Sequence, residues 1–407
     1  MLPVPSASYR ESLRTLYGLQ SFGIKLGLRN MHRLLACVDR PQRQFRTIHV
    51  AGTNGKGSTA ALLAAILTQA GYRTALYTSP HVVDFRERMR VDGREIPEKA
   101  VVRWSRRLMP EVRRRRATFF EAVTTMAFAW FAEEGADIAV VETGLGGRLD
   151  ATNVLEPMLS IITTIGLEHT AVLGRTLSAI AREKAGIIKP GTPCICGVQQ
   201  SVARAMIRRI AQGRGSDLVW STGAAIRVRS EDLEGSVVDV SGRFGRWKDL
   251  RVGLPGRFQL GNVKSVVASV AVLRSQGVLI PDDAVREGMR MVAVLTGVRG
   301  RLSIVRRRPR TIVDVAHNPA AMRALADALR RLRIRPRVAV VGVAADKDVH
   351  AIARALRGVV ARVIAVAART HRSRPAVETA RAFRGAGLRA SSAPTVAAGV
   401  LAAHAVV

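Results

Sequence analysis

Short, β-branched apolar runs alternate with longer helical stretches through most of this 407-residue chain. Phe45 to Val50, Thr74 to Tyr77, Asp137 to Val141 and Met158 to Thr164 have the length and content of buried strands. Ala60 to Ala70, rich in Ala and Leu, and Phe119 to Glu134 are helices, with Gly71 and Gly135 at their C-cap positions. Thr176 to Lys184 is a third helix, ended by Ala185-Gly186. This alternation from 45 to 200 predicts an α/β fold with a mostly parallel sheet covered by helices. Ahead of it, residues 6 to 40 form a helix, a Gly-punctuated loop from Gly18 to Gly27, and a second helix. Within that loop Phe22 to Leu28 is either a flexible lid or a plain surface turn. From about 215 to 255, short alternating segments with Gly predict a hairpin appendage, and Gly261-Asn262 precede a helix to Leu273. Around Thr296 to Gly300 glycine breaks the helical pattern, which puts a boundary between a domain of residues 1–295 and one of 296–407. In the second, Ile312-Val313, Val338 to Val341 and Val363 to Val366 are apolar strands alternating with helices.

The polar residues of interest fall where these strands end. His49-Val50-Ala51-Gly52-Thr53-Asn54-Gly55-Lys56-Gly57-Ser58-Thr59 joins the first strand to the first long helix. A glycine-rich turn in that position gathers backbone N–H groups and a helix dipole around one point, which favours a phosphate. Lys56 adds a point charge for the β- and γ-phosphates, and Ser58 or Thr59 a hydroxyl for Mg²⁺. The spacing departs from the usual phosphate loop, since the first glycine comes late and Gly57 separates the Lys from the hydroxyls. The turn is still a nucleoside triphosphate site by its chemistry. The second strand runs into Thr78-Ser79-Pro80-His81, and Ser79 there is either a ligand or a turn-capping serine. The third delivers Glu142 into a glycine-rich loop ending at Asn153, and the fourth ends near Glu168-His169. A carboxylate leaving an apolar strand needs a partner, and a metal beside phosphates supplies one. Ser79, Glu142 and His169 together make a candidate metal site. Asp314, His317 and Asn318 follow a strand of the second domain in the same way.

Composition trims the possible functions. Met1 to Leu16 has no apolar core of a signal peptide, and no apolar run reaches membrane-spanning length, so a cytoplasmic protein without a membrane partner is expected. Cys37, Cys194 and Cys196 have neither zinc nor redox spacing. The formal charge of +33 invites a nucleic-acid partner, but the basic residues are spread along the chain and aromatics are only 4%. Runs such as Arg113 to Arg116 and Arg306 to Arg308 are then solvated faces, and no nucleic acid is expected. The kind of basic residue says more: only eight of the 64 are Lys. A Lys retained against this Arg background marks a place for a compact charge or a modifiable amine. Lys56, Lys184 and Lys347 stand out on that ground.

Taken together, His49 to Thr59, Tyr77 to His81, Phe119 to Glu121, Glu142 to Asn153, Glu168 to Pro190, Pro255 to Asn262, Asp314 to Pro319 and Asp346 to Asp348 resemble, in family order, folylpolyglutamate synthase and the bifunctional dihydrofolate synthase of the Mur ligase superfamily. The resemblance implies a P-loop-containing, Mur-type central domain followed by a smaller Rossmann-like domain; the sequence leaves the oligomeric state open, with a monomer as the expectation. It implies an ATP-dependent ligase that adds L-glutamate to a folate or to dihydropteroate through an acyl phosphate. By the same resemblance Asn54, Gly55, Lys56, Gly57, Ser58 and Thr59 hold the triphosphate, while Asn262, Arg301 and Asp314 contact the nucleotide, the last two from the second domain. Ser79, Glu142 and His169 match magnesium ligands, Lys184 a lysine that the family carbamylates for a second Mg²⁺, and His317 a residue near the incoming glutamate. Leu26, Gly27, Leu28 and Arg29, Thr118, Phe119, Phe120 and Glu121, and Leu149, Asp150 and Ala151 match segments that contact the pterin.

Three features depart from the family pattern. Val298-Arg299-Gly300-Arg301 stands where an aromatic-Pro-Gly-Arg is usual, Glu168 replaces an Asp before His169, and the run after Thr395 stops where the family continues to another strand, so an edge element of the second domain is expected to be missing. Dihydrofolate synthesis, glutamate-tail extension, or both remain open from these motifs, with another Mur-type amino-acid ligase or a basic nucleic-acid-binding ATPase as the alternatives.

Overall fold

The computed structural model describes residues 6–23, 25–370 and 372–406. Ile24, within the candidate lid, and residues 1–5 lie outside that set. Among the described residues two compact units are present: one made of residues 1–230, 237–253 and 259–298, the other of 231–236, 254–258 and 299–407. The first therefore runs to Val298 rather than to 295, and two short pieces of the central region belong to the second.

The first unit is built on an eight-stranded sheet. Its strands are β1 (Arg46–Ala51), β2 (Thr74–Tyr77), β3 (Met89–Val91), β4 (Arg94–Glu95), β5 (Ile138–Glu142), β6 (Leu159–Ile162), β7 (Cys194–Cys196) and β8 (Leu218–Trp220). The order is β4-β3-β2-β5-β1-β6-β7-β8. All pairs from β2 to β8 are parallel, and β3 and β4 add an antiparallel edge. Because β2, β5, β1 and β6 are parallel neighbours, their carboxyl ends share one rim, where ligands bind in such sheets. The helix Lys56–Gln69 is buried from Gly57 to Leu67. Its small and aliphatic residues allow that: helix Asp282–Arg290 approaches so closely at Gly288 that a Cβ there would lie 2.5 Å from the Cα of Ile66.

Two expectations need correction here. Residues 215 to 255 are not a lone hairpin: β8 joins the main sheet, and β9 (Ala224–Asp232), β10 (Gly235–Gly242) and β11 (Trp247–Val252) form a sheet of their own. Gly261 and Asn262 do not precede their helix but lie in the first turn of Gln259–Ser275. Glycine in an N-terminal turn costs little, because that turn's amides have no intrahelical partner anyway.

In the second unit β14 (Val338–Gly342), β15 (Arg362–Val366) and β16 (Arg389–Ser392) form a parallel sheet. Helices Pro319–Arg331, Val349–Leu356 and Ala376–Gly385 pack around Leu329, Ile352 and Phe383. Ile312-Val313 lies outside that sheet: β12 (Ser303–Arg306) and β13 (Thr311–Val313) pair antiparallel as a separate ladder. A three-residue strand next to a polar turn suits a ladder edge better than a buried parallel position.

Candidate active site

The turn between β1 and the helix Lys56–Gln69 is shaped by two glycines. Gly52 has a positive φ of 155° that side chains rarely adopt, and a Cβ on it would lie 1.9 Å from the Thr163 hydroxyl oxygen. Gly55 caps the helix in the left-handed region (φ 88°), and a Cβ there would lie 2.3 Å from Asn262 Oδ1. Only glycine permits both the conformation and the approach. The segment after β6 grips the turn from the side. Thr164 Oγ1 accepts from the Asn54 N–H at 2.9 Å, Thr163 Oγ1 donates to the Asn54 carbonyl at 2.8 Å, and the Gly166 N–H donates to Thr53 Oγ1 at 2.9 Å. Lys56 is thus the first residue of a helix whose opening amides and positive end face the turn. Ser58 and Thr59 lie in its first turn, both buried, and Thr59 Oγ1 has no hydrogen-bond partner among the described residues.

Charge collects on the same rim. Glu142, at the end of β5, is buried; its Oε1 lies 3.7 Å from Lys56 Nζ and its Oε2 accepts from the Ser79 N–H at 3.2 Å. Lys184 lies near the end of helix Leu177–Ala185, which Thr176 caps by accepting from the Ala179 N–H. Its buried amine donates to the Gly52 carbonyl at 2.7 Å. Burial first, and the Lys56 charge second, push its pKa down from the usual 10.5 to about 7. His169 begins the short helix Thr170–Leu173 in a left-handed conformation (φ 52°), half-buried, on the segment that grips the turn. Among the described residues no group of three or more His, Cys, Asp or Glu is placed to hold a metal ion. A buried carboxylate beside a serine and a phosphate-binding turn instead suits a hard cation that keeps waters and shares phosphate oxygens.

The segments matched to the pterin surround a cluster of rings in a chain otherwise poor in them. Thr118 and Glu121 form a capping box for helix Phe119–Glu133: the Thr118 hydroxyl accepts from the Glu121 N–H, and the Glu121 carboxylate accepts from the Thr118 N–H and hydroxyl. This fixes Phe119 and Phe120 in the first turn. Phe119 stacks on Tyr17 (centroids 5.6 Å apart), and Phe85 meets both edge-on. Phe120 covers Gly144, where a Cβ would lie 2.4 Å from the ring. Asp150 closes the 145–152 loop by accepting from the Leu145 and Thr152 N–H groups and the Thr152 hydroxyl, and burial raises its pKa. Leu149 and Ala151 flank it. In the N-terminal arm Leu26 is exposed, Gly27 is left-handed (φ 136°), and Leu28 leads into helix Arg29–Ala36.

In the second unit, Asp314 is half-buried after β13. It accepts from the Leu302 N–H at 2.9 Å and the Ala316 N–H at 2.8 Å, and burial raises its pKa. These bonds fold the chain back beside Arg301. His317 is exposed, and its Nδ1 donates to the Val315 carbonyl at 2.9 Å, which fixes the tautomer. Asn318 caps helix Pro319–Arg331.

Two groups on the rim have no signal in the sequence. Arg88 is a buried guanidinium whose Nε donates to His81 Nδ1 at 2.8 Å. Burial, and then Arg88 itself, hold the His81 pKa down at about 4. His49, fully buried in β1, hydrogen-bonds through Nε2 to the Thr152 hydroxyl at 2.8 Å, and so links the strand before the phosphate turn to the Asp150 loop.

Residues 50–271 match the Mur ligase middle domain, and residues 300–406 the Mur ligase, glutamate ligase domain. The chain is 35% identical to a dihydrofolate synthase/folylpolyglutamate synthase of Bacillus subtilis, over 82% of this chain and 79% of that one. It is also 35% identical to the enzyme so named from Escherichia coli, over 88% and 80% respectively. Among solved structures it is similar to the Mycobacterium tuberculosis folylpolyglutamate synthase complexed with ADP (TM-score 0.89, 31% identity, 98% and 92% covered). It is also similar to Escherichia coli FolC in complex with DHPP and ADP (TM-score 0.84, 31% identity, 99% and 93% covered).

Proposed function

Because the chain belongs to the folylpolyglutamate synthase/dihydrofolate synthase family of Mur ligases, we propose that it is the ATP-dependent ligase that joins L-glutamate to a pterin-bearing carboxylate, releasing ADP and phosphate. The observation that carries the reading is the meeting of Glu142, Ser79, Lys56 and Lys184 around the Gly52–Lys56 turn, beside the aromatic cluster.

The chemistry follows from the difficulty of making an amide directly. A carboxylate is a poor electrophile because its leaving group would be an oxide. Transfer of the γ-phosphoryl to the carboxylate gives an acyl phosphate; the glutamate amine then attacks the acyl carbon, phosphate leaves, and the nitrogen loses its proton. Negative charge builds on the phosphoryl oxygens in both steps. The opening amides of helix Lys56–Gln69 and the Lys56 ammonium are aimed at such charge. Asn54 to Thr59 bind the triphosphate in this reading, and Asn262, which packs against Gly55, shapes that turn and contacts the nucleotide. Mg²⁺, when bound, is held by Ser79, Glu142 and His169, and supplies charge neutralisation for the transferred group. Carbamylation of Lys184 suits a neutral, buried amine, and its carbamate is a further oxygen donor for a second Mg²⁺. Roles for Arg301 and Asp314 toward nucleotide and for His317 toward glutamate are supported by the motifs to which they belong. The substrates are small molecules, and no described helix is long and apolar enough to cross a membrane.

The test is an acceptor panel. ADP release is expected only when ATP, Mg²⁺, glutamate and a pterin carboxylate are all present. Dihydropteroate and tetrahydrofolate, supplied separately, distinguish first-glutamate addition from tail extension. ATP turnover indifferent to every pterin and to glutamate would overturn the reading.

A further inference from the structure

Arg88 is only 7% exposed, yet it has no carboxylate within ion-pair distance among the described residues. It ends the short helix Phe85–Arg88, and its carbonyl accepts from the Thr78 N–H at 3.1 Å, which anchors it one residue from Ser79. The acidic groups around it are occupied by others. Glu87 accepts from the Val82, Val83 and Asp84 N–H groups; Asp84 accepts from Arg86 and the Tyr9 hydroxyl; Glu142 is shared by Lys56 and the Ser79 N–H. What Arg88 has instead is His81 Nδ1 on its Nε and the face of Phe119, 5.4 Å from the guanidinium carbon. The other ring nitrogen of His81 lies 3.4 Å from the Tyr17 hydroxyl.

A guanidinium stays charged, and burying it without a counter-ion is costly. Among the described residues, one acceptor and one ring leave the four donors on its two terminal nitrogens open to a ligand or solvent. Its neighbours say which: on one side are the residues that face the phosphoryl groups, on the other the rings assigned to the pterin. We propose that Arg88 binds the carboxylate of the pterin substrate, the group that is phosphorylated, and that His81, held by Tyr17, is a positioning residue that sets the plane of the guanidinium. Planar two-point recognition of a carboxylate is what arginine does and lysine does not. No bond forms or breaks at Arg88; it holds an oxygen pair in line for transfer.

This inference rests on the ligase reading, and its test separates the two. Dihydropteroate, the same dihydropterin lacking the carboxylate, and ADP are each titrated against the wild type, Arg88→Gln, Arg88→Lys and His81→Asn. Arg88→Gln should weaken dihydropteroate by about 50-fold, Arg88→Lys by about tenfold and His81→Asn by about fivefold, as expected for loss or misalignment of a charge-assisted pair. The carboxylate-free ligand and ADP should bind all four proteins alike. Equal losses for both pterins, a loss of ADP binding as well, or wild-type affinity for dihydropteroate in Arg88→Gln and Arg88→Lys would each overturn the proposal. Wild-type protein that binds dihydropteroate through its carboxylate but never ligates glutamate would instead overturn the ligase reading alone.

Discussion

Lys184→Arg is expected to lose ligation by about 10³-fold or more, the scale of removing a main electrostatic element of a transition state, while keeping its fold and ADP affinity. The substitution keeps a cation and a donor for the Gly52 carbonyl, but it removes the primary amine that CO₂ needs. The pH dependence has a definite sign. Only the neutral amine forms a carbamate, and a pKa held at about 7 leaves it mostly neutral at pH 8 and mostly protonated at pH 6. Wild-type enzyme stripped of CO₂ should therefore ligate slowly and recover on addition of bicarbonate, and the recovery should weaken below pH 7. In carbon-13 bicarbonate a carbamate resonance should appear in the wild type and be missing from Lys184→Arg. Ligation by Lys184→Arg at wild-type rates would remove the carbamate from the account.

Glu142→Gln is expected to cost a similar factor, about 10³-fold in kcat, with ADP binding changed by less than about tenfold. The amide is isosteric and its oxygen can still accept from the Ser79 N–H, so the β5 terminus keeps its shape. The lost element is the negative charge set 3.7 Å from Lys56 in a buried position. Without it the carboxylate beside Lys56 is gone, and the hard cation expected there loses its charged ligand. Steady-state rates over a range of Mg²⁺ concentrations check this: a variant within tenfold of wild type at saturating Mg²⁺ would contradict the assignment.

The strands and helices that build the rim were legible because their signals are local. β2 (Thr74–Tyr77) and the helix Phe119–Glu133 follow from local patterns that need no tertiary context. Parallel order then brings Ser79, Glu142 and the phosphate turn to one edge. What the pattern could not supply came from packing. Arg389-Ala-Ser-Ser forms β16 although only its ladder to β15 makes it a strand, since none of its four residues is a strong strand former. Gly261-Asn262 looks like a break but sits in a helix whose Asn262 must approach Gly55. Arg88 was hidden by composition: in a chain where nearly all the basic residues are Arg, one more has no contrast. Burial alone singles it out. Lys184 was visible for the opposite reason, as one of only eight lysines.

The central claim is that ATP is spent to activate a pterin carboxylate. Dihydropteroate labelled with oxygen-18 in both carboxylate oxygens tests it directly, with ATP, Mg²⁺ and glutamate present and the released phosphate weighed by mass spectrometry. Transfer through an acyl phosphate predicts phosphate carrying a single oxygen-18 and an amide product retaining the other. Unlabelled phosphate, with ADP still formed, would contradict the account.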